Sequence, residues 1–149
     1  MSVNEPSRRG PEPRAAYAAL RAITTRWSDN DVYGHVNNVE YYSFFDTVIN
    51  DFLIRSGGLD IHRGDVIGLC VDSQCTFKQS LEFPGVVDAG LRCGQLGNSS
   101  VRYEIALFRE GSDEPAATGR FVHVFVGRHD RVPVPVPDEI RAALEGITG

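Results

Sequence analysis

The sequence contains almost no lysine: Lys78 is the only one, and arginine supplies the other basic side chains. Acidic residues outnumber basic ones by 20 to 15, so the formal net charge is −5. No run of basic residues provides the clustered positive charge that a phosphate backbone attracts. The composition therefore argues against nucleic acid as a partner.

Cysteines and long apolar runs are also scarce. Cys70, Cys75 and Cys93 are odd in number and lack CxxC spacing, which argues against a disulfide framework or a zinc site. No stretch approaches the roughly 20 apolar residues that a membrane span needs, and the N-terminus has no apolar signal core. We expect a cytoplasmic protein in which residues 1–13 form a disordered tail and residues 14–149 form one domain.

One segment has a clear helical pattern. Apolar residues between positions 41 and 53 recur at intervals of three and four, which places them on one face of a helix. These residues are Tyr41, Phe44, Phe45, Val48, Ile49, Phe52 and Leu53. Gly57 and Gly58 follow and predict the end of the helix.

From Val66 to Arg128 the pattern changes to the two-residue alternation of β-strands. Four such runs follow one another through the short turn sequences "EFPG", "QLGNSS" and "EGSDEP". Connections this short require antiparallel pairing, because parallel strands need crossovers of about a dozen residues or more. A further strand in "AITTRW" precedes the helix, and "PDEIRAALEGI" predicts a short terminal helix that opens at Asp138.

The predicted fold class is α+β, with a five-stranded antiparallel sheet wrapped around one long helix. A single sheet that curls around the helix would bury its broad aromatic face. The other face of the sheet would still carry apolar side chains, which favours an edge or a face shared with a second copy. We therefore expect a homo-oligomer.

The segment before the helix, "DNDVYGHVNN", crowds two carboxylates, a histidine and several asparagines into residues 29–38. Counted from Asp29, it nearly matches a calcium-binding EF-hand loop, but Tyr33 occupies the fifth position, where that loop needs Asp or Asn. A structural interpretation has Asn37 cap the helix in a capping box with Glu40. Such a capping box would account for Asn37 and Glu40 without giving either residue a catalytic or binding role.

A catalytic interpretation uses the same helix start. Unpaired backbone N–H groups at a helix N-terminus can bind a developing oxyanion, and a carboxylate on the preceding loop can face the carbonyl. A thioester suits this arrangement best, because a thiolate with a conjugate-acid pKa of ~8.5 leaves without a strong general acid. No Ser-His-Asp order or GxSxG motif offers another route.

The stretch "RWSDNDVYGHVNNVEYYSFFD" resembles the acyl-CoA thioesterases of the hotdog fold, the 4-hydroxybenzoyl-CoA thioesterase-like group. The similarity lies in the Asp-x-Asp, the Gly-His-Val-Asn-Asn and the following tyrosine, and it continues more loosely from Val71 to Val126. The resemblance implies an acyl-CoA substrate, a dimer or tetramer with sites at the subunit junction, and neither a metal nor a cofactor. It places the catalytic carboxylate, as nucleophile or general base, on Asp31 and the oxyanion-binding backbone amide on Asn38.

The same resemblance implies supporting catalytic roles for His35 and Asn37, which would orient the carboxylate or the attacking water. It also implies that Tyr33, Gly34 and Tyr41 contact the substrate. These residues all fall within or just after the motif.

The coenzyme's phosphates should meet arginines at the mouth of the site, for which we propose Arg120 and Arg128 on either side of the last strand. Val32 follows the catalytic aspartate where the family's aromatic-CoA branch has proline, which disfavours a hydroxybenzoyl substrate. A non-catalytic hotdog module that binds acyl-CoA is the first alternative, and Asp31 argues against it. A hotdog dehydratase is the second, but its catalytic His with Asp or Glu would lie on a different loop pattern.

Overall fold

The computed structural model describes residues 12–149, so residues 1–11 of the predicted tail lie outside the described residues. Within this range, one antiparallel sheet with the strand order β1-β3-β4-β5-β2 is accompanied by two helices. The strands are β1 (Ala19–Thr24), β2 (Val66–Phe77), β3 (Val86–Leu96), β4 (Ser100–Arg109) and β5 (Pro115–Gly127), and the helices are α1 (Asn38–Arg55) and α2 (Asp138–Glu145). The predicted α+β fold is confirmed.

Helix α1 is the central element, and its apolar face lies in the core as the spacing predicts. Six of the seven stripe residues are buried, and Phe52 is half-buried. After Arg55, the amides of Ser56 and Gly57 return to carbonyls of the last turn, and Gly58 adopts a φ of +69°. A left-handed φ suits glycine, so the predicted helix end is confirmed.

Close packing between α1 and the sheet depends on Gly119 in β5. A Cβ atom at this position would overlap the ring of Phe45 in α1 and would lie 2.8 Å from the carbonyl oxygen of Gln74 in β2. The absence of a side chain therefore lets the helix approach the sheet at this point. The result is a continuous apolar core between α1 and one face of the sheet.

The opposite face of the sheet is partly covered by the chain's own N-terminal segment. Tyr17 packs against Phe108 and over Gly90, where a Cβ would come within 2.9 Å of the tyrosine side chain. The Arg92 guanidinium lies 4.7 Å from the centre of the Tyr17 ring and also pairs with Glu104. Some of the apolar side chains predicted on this face of the sheet are therefore buried within one chain.

Strand β2 is an edge of the sheet. It pairs with β5 on one side, contains a register shift between Cys70 and Asp72, and leaves many of its residues exposed. Among residues 12–149, no strand pairs with its other side. The end of this strand, at Phe77, leads into the loop that forms one wall of the site described below.

No helix in the described part of the chain is long and apolar enough to cross a bilayer.

Candidate active site

Asp29, the first carboxylate of the motif, is a structural residue. Its side chain is fully buried and accepts hydrogen bonds from the Arg26 backbone amide at 2.7 Å and from the Arg26 Nη2 atom at 2.9 Å. Its carbonyl oxygen accepts a further bond from the Asn37 amide at 2.8 Å. Asp29 thus ties the start of the loop to the start of α1, and the EF-hand interpretation loses its first ligand.

Asp31 lies on a tight turn that leaves part of its carboxylate available. Its Oδ1 atom accepts the Tyr33 amide at 2.8 Å, and its carbonyl oxygen accepts the Gly34 amide at 3.1 Å. The Asp31 amide donates to the carbonyl of His35, and Gly34 closes the turn at a φ of +80°. Oδ2 accepts no hydrogen bond from any described residue, so this oxygen is open to a substrate or a water molecule.

Asn37 caps helix α1, as predicted, but not through the predicted capping box. Its Oδ1 atom accepts the amide of Val39 at 3.3 Å, whereas the Glu40 amide donates to the Asn37 carbonyl. The Asn37 amide is already bound to Asp29, and the Glu40 side chain lies 3.7 Å from Arg26. The prediction that the Glu40 side chain binds the Asn37 amide was wrong, because this amide donates to the Asp29 carbonyl instead.

The first helical amide, that of Asn38, is free to bind an anion. No acceptor among residues 12–149 takes a hydrogen bond from it. It belongs to the first turn of an 18-residue helix, where the backbone dipoles favour negative charge. This is the amide to which the family resemblance gives the role of oxyanion donor.

A cavity of about 420 Å³ brings this helix start and the Asp31 turn together with the end of β2. Of the predicted site residues, it is lined by Asp31, Tyr33, His35, Asn38 and Tyr41. Gly34 and Asn37 do not line it; the first closes the turn and the second caps the helix. The predicted motif therefore surrounds one concave surface.

Tyr41 is more structural than the sequence indicates. It is buried, its ring packs edge-on against Phe77 at a centroid distance of 4.9 Å, and its hydroxyl accepts the Leu81 amide at 3.2 Å. Burial raises the pKa of this phenol, so the hydroxyl stays protonated. The residue joins α1 to the loop on the far side of the cavity.

That far wall was missed by the sequence analysis. It consists of Phe77, Lys78, Gln79 and Ser80. The amides of Lys78 and Gln79 both donate to the Ala116 carbonyl at 2.9 Å, and Arg109 donates two bonds to the Ser80 carbonyl. The only lysine of the chain therefore lies on a fixed wall of the cavity that Asp31 also lines.

The two predicted phosphate-binding arginines do not line this cavity. Arg128 donates to the carbonyls of Gly64 at 2.5 Å and Ile61 at 2.8 Å, and so holds the loop before β2. Arg120 stands beside Gln74 and Glu104 in the sheet register. Within one chain, neither residue is among those that line the cavity with Asp31.

The cysteines are poor nucleophiles and lie elsewhere. Burial raises the pKa of Cys75 to about 11 and also raises the pKa of Cys70 and of Cys93. These thiols stay protonated at neutral pH, and none of them lines the cavity. A cysteine-based route to thioester cleavage is therefore disfavoured.

Comparison with known proteins identifies the family. The model of the thioesterase-like superfamily matches residues 25–144, so the chain belongs to that superfamily. No curated protein matches the chain.

Solved structures extend the likeness to the whole fold. The PA5185 protein of Pseudomonas aeruginosa is 53% identical, covers 94% of this chain and 98% of its own, and superposes with a TM-score of 0.92. The PA2801 protein of the same organism is 29% identical over 83% of this chain and 95% of its own, with a TM-score of 0.76. A 1,4-dihydroxy-2-naphthoyl-CoA thioesterase from Synechocystis is 16% identical over 84% of this chain and 93% of its own, and shares the fold with a TM-score of 0.76.

Proposed function

We propose that the protein hydrolyses acyl-CoA thioesters to a free carboxylic acid and CoA. One observation carries the proposal: Asp31 and Asn38, whose amide has no acceptor among residues 12–149, line the same cavity on a chain that belongs to the thioesterase-like superfamily. A carboxylate that acts as nucleophile or general base and an oxyanion donor together provide a route to thioester hydrolysis. Acyl-thioester hydrolysis is the general activity, and CoA as the carrier is our more specific assignment.

The proposed reaction begins with the thioester carbonyl oxygen directed at the Asn38 amide. Asp31 then either attacks the carbonyl carbon or removes a proton from a water molecule that attacks it. In both routes the C–S bond breaks and the thiolate leaves, and it takes up a proton to become the free thiol. In the nucleophilic route, water subsequently cleaves the acyl–aspartyl anhydride and regenerates the carboxylate.

The remaining motif residues have supporting roles in this proposal. His35, exposed at the cavity, orients the water or the carboxylate, and Asn37 holds the helix start that presents the oxyanion donor. Tyr33 and Tyr41 contact the acyl group from two sides of the cavity, and Gly34 permits the turn that carries Asp31. Contact of Arg120 and Arg128 with the coenzyme phosphates stays a prediction.

A second copy of the chain completes the proposed site. Trp27, Val32, Tyr33 and Val39 surround the motif with exposed apolar surface, and their exposed fractions run from 67% to 93%. Large apolar patches of this kind on a soluble domain are typical of interfaces. We therefore propose a homodimer, or a tetramer of two dimers, with the sites at the subunit junction.

The proposal is tested by Asp31→Asn, assayed for thiol release with a panel of acyl-CoAs. The substitution keeps size and polarity but removes the charge that attacks or accepts a proton. General-base catalysis contributes ~10²–10⁴-fold, so kcat should fall by at least that factor while KM changes little.

Asp29→Asn is the matched control, because it makes the same change two residues away. Asp29 is buried against Arg26, so this variant should lose stability, by about 1–3 kcal/mol, and keep a near wild-type kcat for its folded fraction. Near wild-type turnover by Asp31→Asn would contradict the assignment. Binding of acyl-CoA without hydrolysis by the wild-type protein would favour the non-catalytic module.

A further inference from the structure

Asn30, the residue between the two aspartates, makes a pair of hydrogen bonds to a distant segment of the chain. Its Oδ1 atom accepts the backbone amide of Phe83 at 3.0 Å, and its Nδ2 atom donates to the Phe83 carbonyl at 3.4 Å. The carboxamide therefore pairs with one residue of the 81–85 segment much as the backbone of a neighbouring strand would. Asn30 itself does not line the cavity.

The same segment also holds the other end of the Asp31 turn. Asn30 forms an isolated antiparallel bridge with Val36, and the Val36 amide donates to the Leu81 carbonyl at 2.8 Å. Both ends of the turn are thus attached to one short segment: Val36 binds Leu81, and Asn30 binds Phe83. That segment continues directly from the far wall of the cavity, residues 77–80.

We propose that Asn30 is a positioning residue that sets the Asp31 carboxylate relative to the far wall of the cavity. Its side chain attaches the Asp31 end of the turn to Phe83, and Asp31 is the next residue along the chain. Without this side chain, the Asn30 end of the turn would lose its bonds to Phe83, and the turn would be held by the Val36–Leu81 bond and by the backbone bond between Asn37 and Asp29. This inference deepens the proposed thioesterase function and rests on it for its kinetic consequences.

Thr25 provides a matched control, since it attaches to the same segment at a distance from the turn. Its Oγ1 atom donates to the Gly85 carbonyl at 2.9 Å, with Glu82 as a second acceptor at 3.3 Å. Thr25 is buried and, like Asn30, does not line the cavity. Thr25→Val therefore removes side-chain bonds to the 81–85 segment without releasing the Asp31 turn.

The experiment compares Asn30→Ala with Thr25→Val in the full chain, by steady-state kinetics and by hydrogen exchange at the Tyr33, Gly34 and Val36 amides. A displacement of about 1 Å can cost ~10²-fold in rate. We expect Asn30→Ala to lower kcat by ~10–10²-fold with KM within about threefold, and to speed exchange in the turn. Thr25→Val should lower stability but leave both kcat and exchange in the turn near wild-type values.

Wild-type kcat and wild-type exchange in Asn30→Ala would overturn the inference. If that variant does not fold, Asn30→Leu decides, because it keeps a side chain of similar size and removes both the acceptor for the Phe83 amide and the donor to its carbonyl. An unchanged kcat in this variant would contradict the inference. If the wild-type protein cleaves no thioester, the proposed function fails, and the exchange rates alone decide whether Asn30 holds the turn.

Discussion

At the scale of the residue, His123 is a titratable group in a place that does not accommodate charge. It lies in β5 with 3% of its surface exposed, between the rings of Phe121 and Phe125. Its Nδ1 atom is 3.1 Å from the hydroxyl of Tyr103, which is fully buried. Burial lowers the pKa of His123 to about 4, from an ordinary value of 6.5. His123 is therefore a core histidine whose ring nitrogen is paired with a tyrosine hydroxyl.

This pKa shift predicts a loss of stability in mild acid. The unfolded chain binds a proton to His123 near pH 6.5 and the folded chain only near pH 4, so stability should fall as pH drops through this window. The full loss should approach about 3 kcal/mol. Urea unfolding between pH 7.5 and 4 measures it.

His123→Gln should flatten that pH dependence, whereas substitution of the exposed His62 by Gln should leave it unchanged. An unfolding free energy in the wild type that stays constant from pH 7 to 4.5 would show that His123 tolerates its charge. The same would follow if His123→Gln had the wild-type slope.

At the scale of the element, Gly119 is a point where a side chain of α1 packs directly against the backbone of the sheet. We predict that Gly119→Ala destabilises the protein by ~1–3 kcal/mol, because the new methyl group would overlap the Phe45 ring and force the helix away from β5. Thermal unfolding measures the effect. Thr118→Ala, at the adjacent half-buried position, is the control and should cost less; equal losses at the two positions would contradict this account.

Helix α1 and the strands after it could be predicted from the sequence, because helices and strands differ in the spacing of their apolar residues. The aromatic stripe from Tyr41 to Leu53 and the alternation after Val66 correspond directly to α1 and to the strands. The far wall of the cavity could not be predicted, because the position of Lys78 depends on how β2 and β5 pair, and alternation alone does not fix register.

Within the motif, residue types indicated the chemistry but not the contacts. Asp31 and Asn38 were predicted as a pair, and they line one cavity. The hydrogen-bond partners of Asn37 were predicted incorrectly. The Asn37 amide donates to the Asp29 carbonyl, and a capping pattern along the sequence does not include such a contact. Asn30 passed unnoticed for the same reason, since its partner lies 53 residues away.

At the scale of the whole molecule, the unpaired side of β2 and the apolar surface around the motif lead to a prediction about assembly. We expect sedimentation to show a homodimer at minimum, because both features would otherwise stay exposed to water. Val71, 59% exposed on β2, offers a test by Val71→Asp. A charge there should shift the protein towards monomer and reduce activity.

Val132→Asp is the matched control, because Val132 is 55% exposed but lies outside the sheet. This variant should sediment as the wild type does. A fully active monomer at assay concentrations would rule out a site completed by a second copy.

The single lysine has a practical consequence for labelling. Apart from the α-amino group, Lys78 is the only aliphatic amine in the chain, and it lines the same cavity as Asp31. With the α-amino group blocked, amine-directed reagents such as succinimidyl esters would attach a fluorophore or a cross-linker at the cavity wall, without any engineered cysteine. A dye placed there would report directly on whether an acyl thioester has entered.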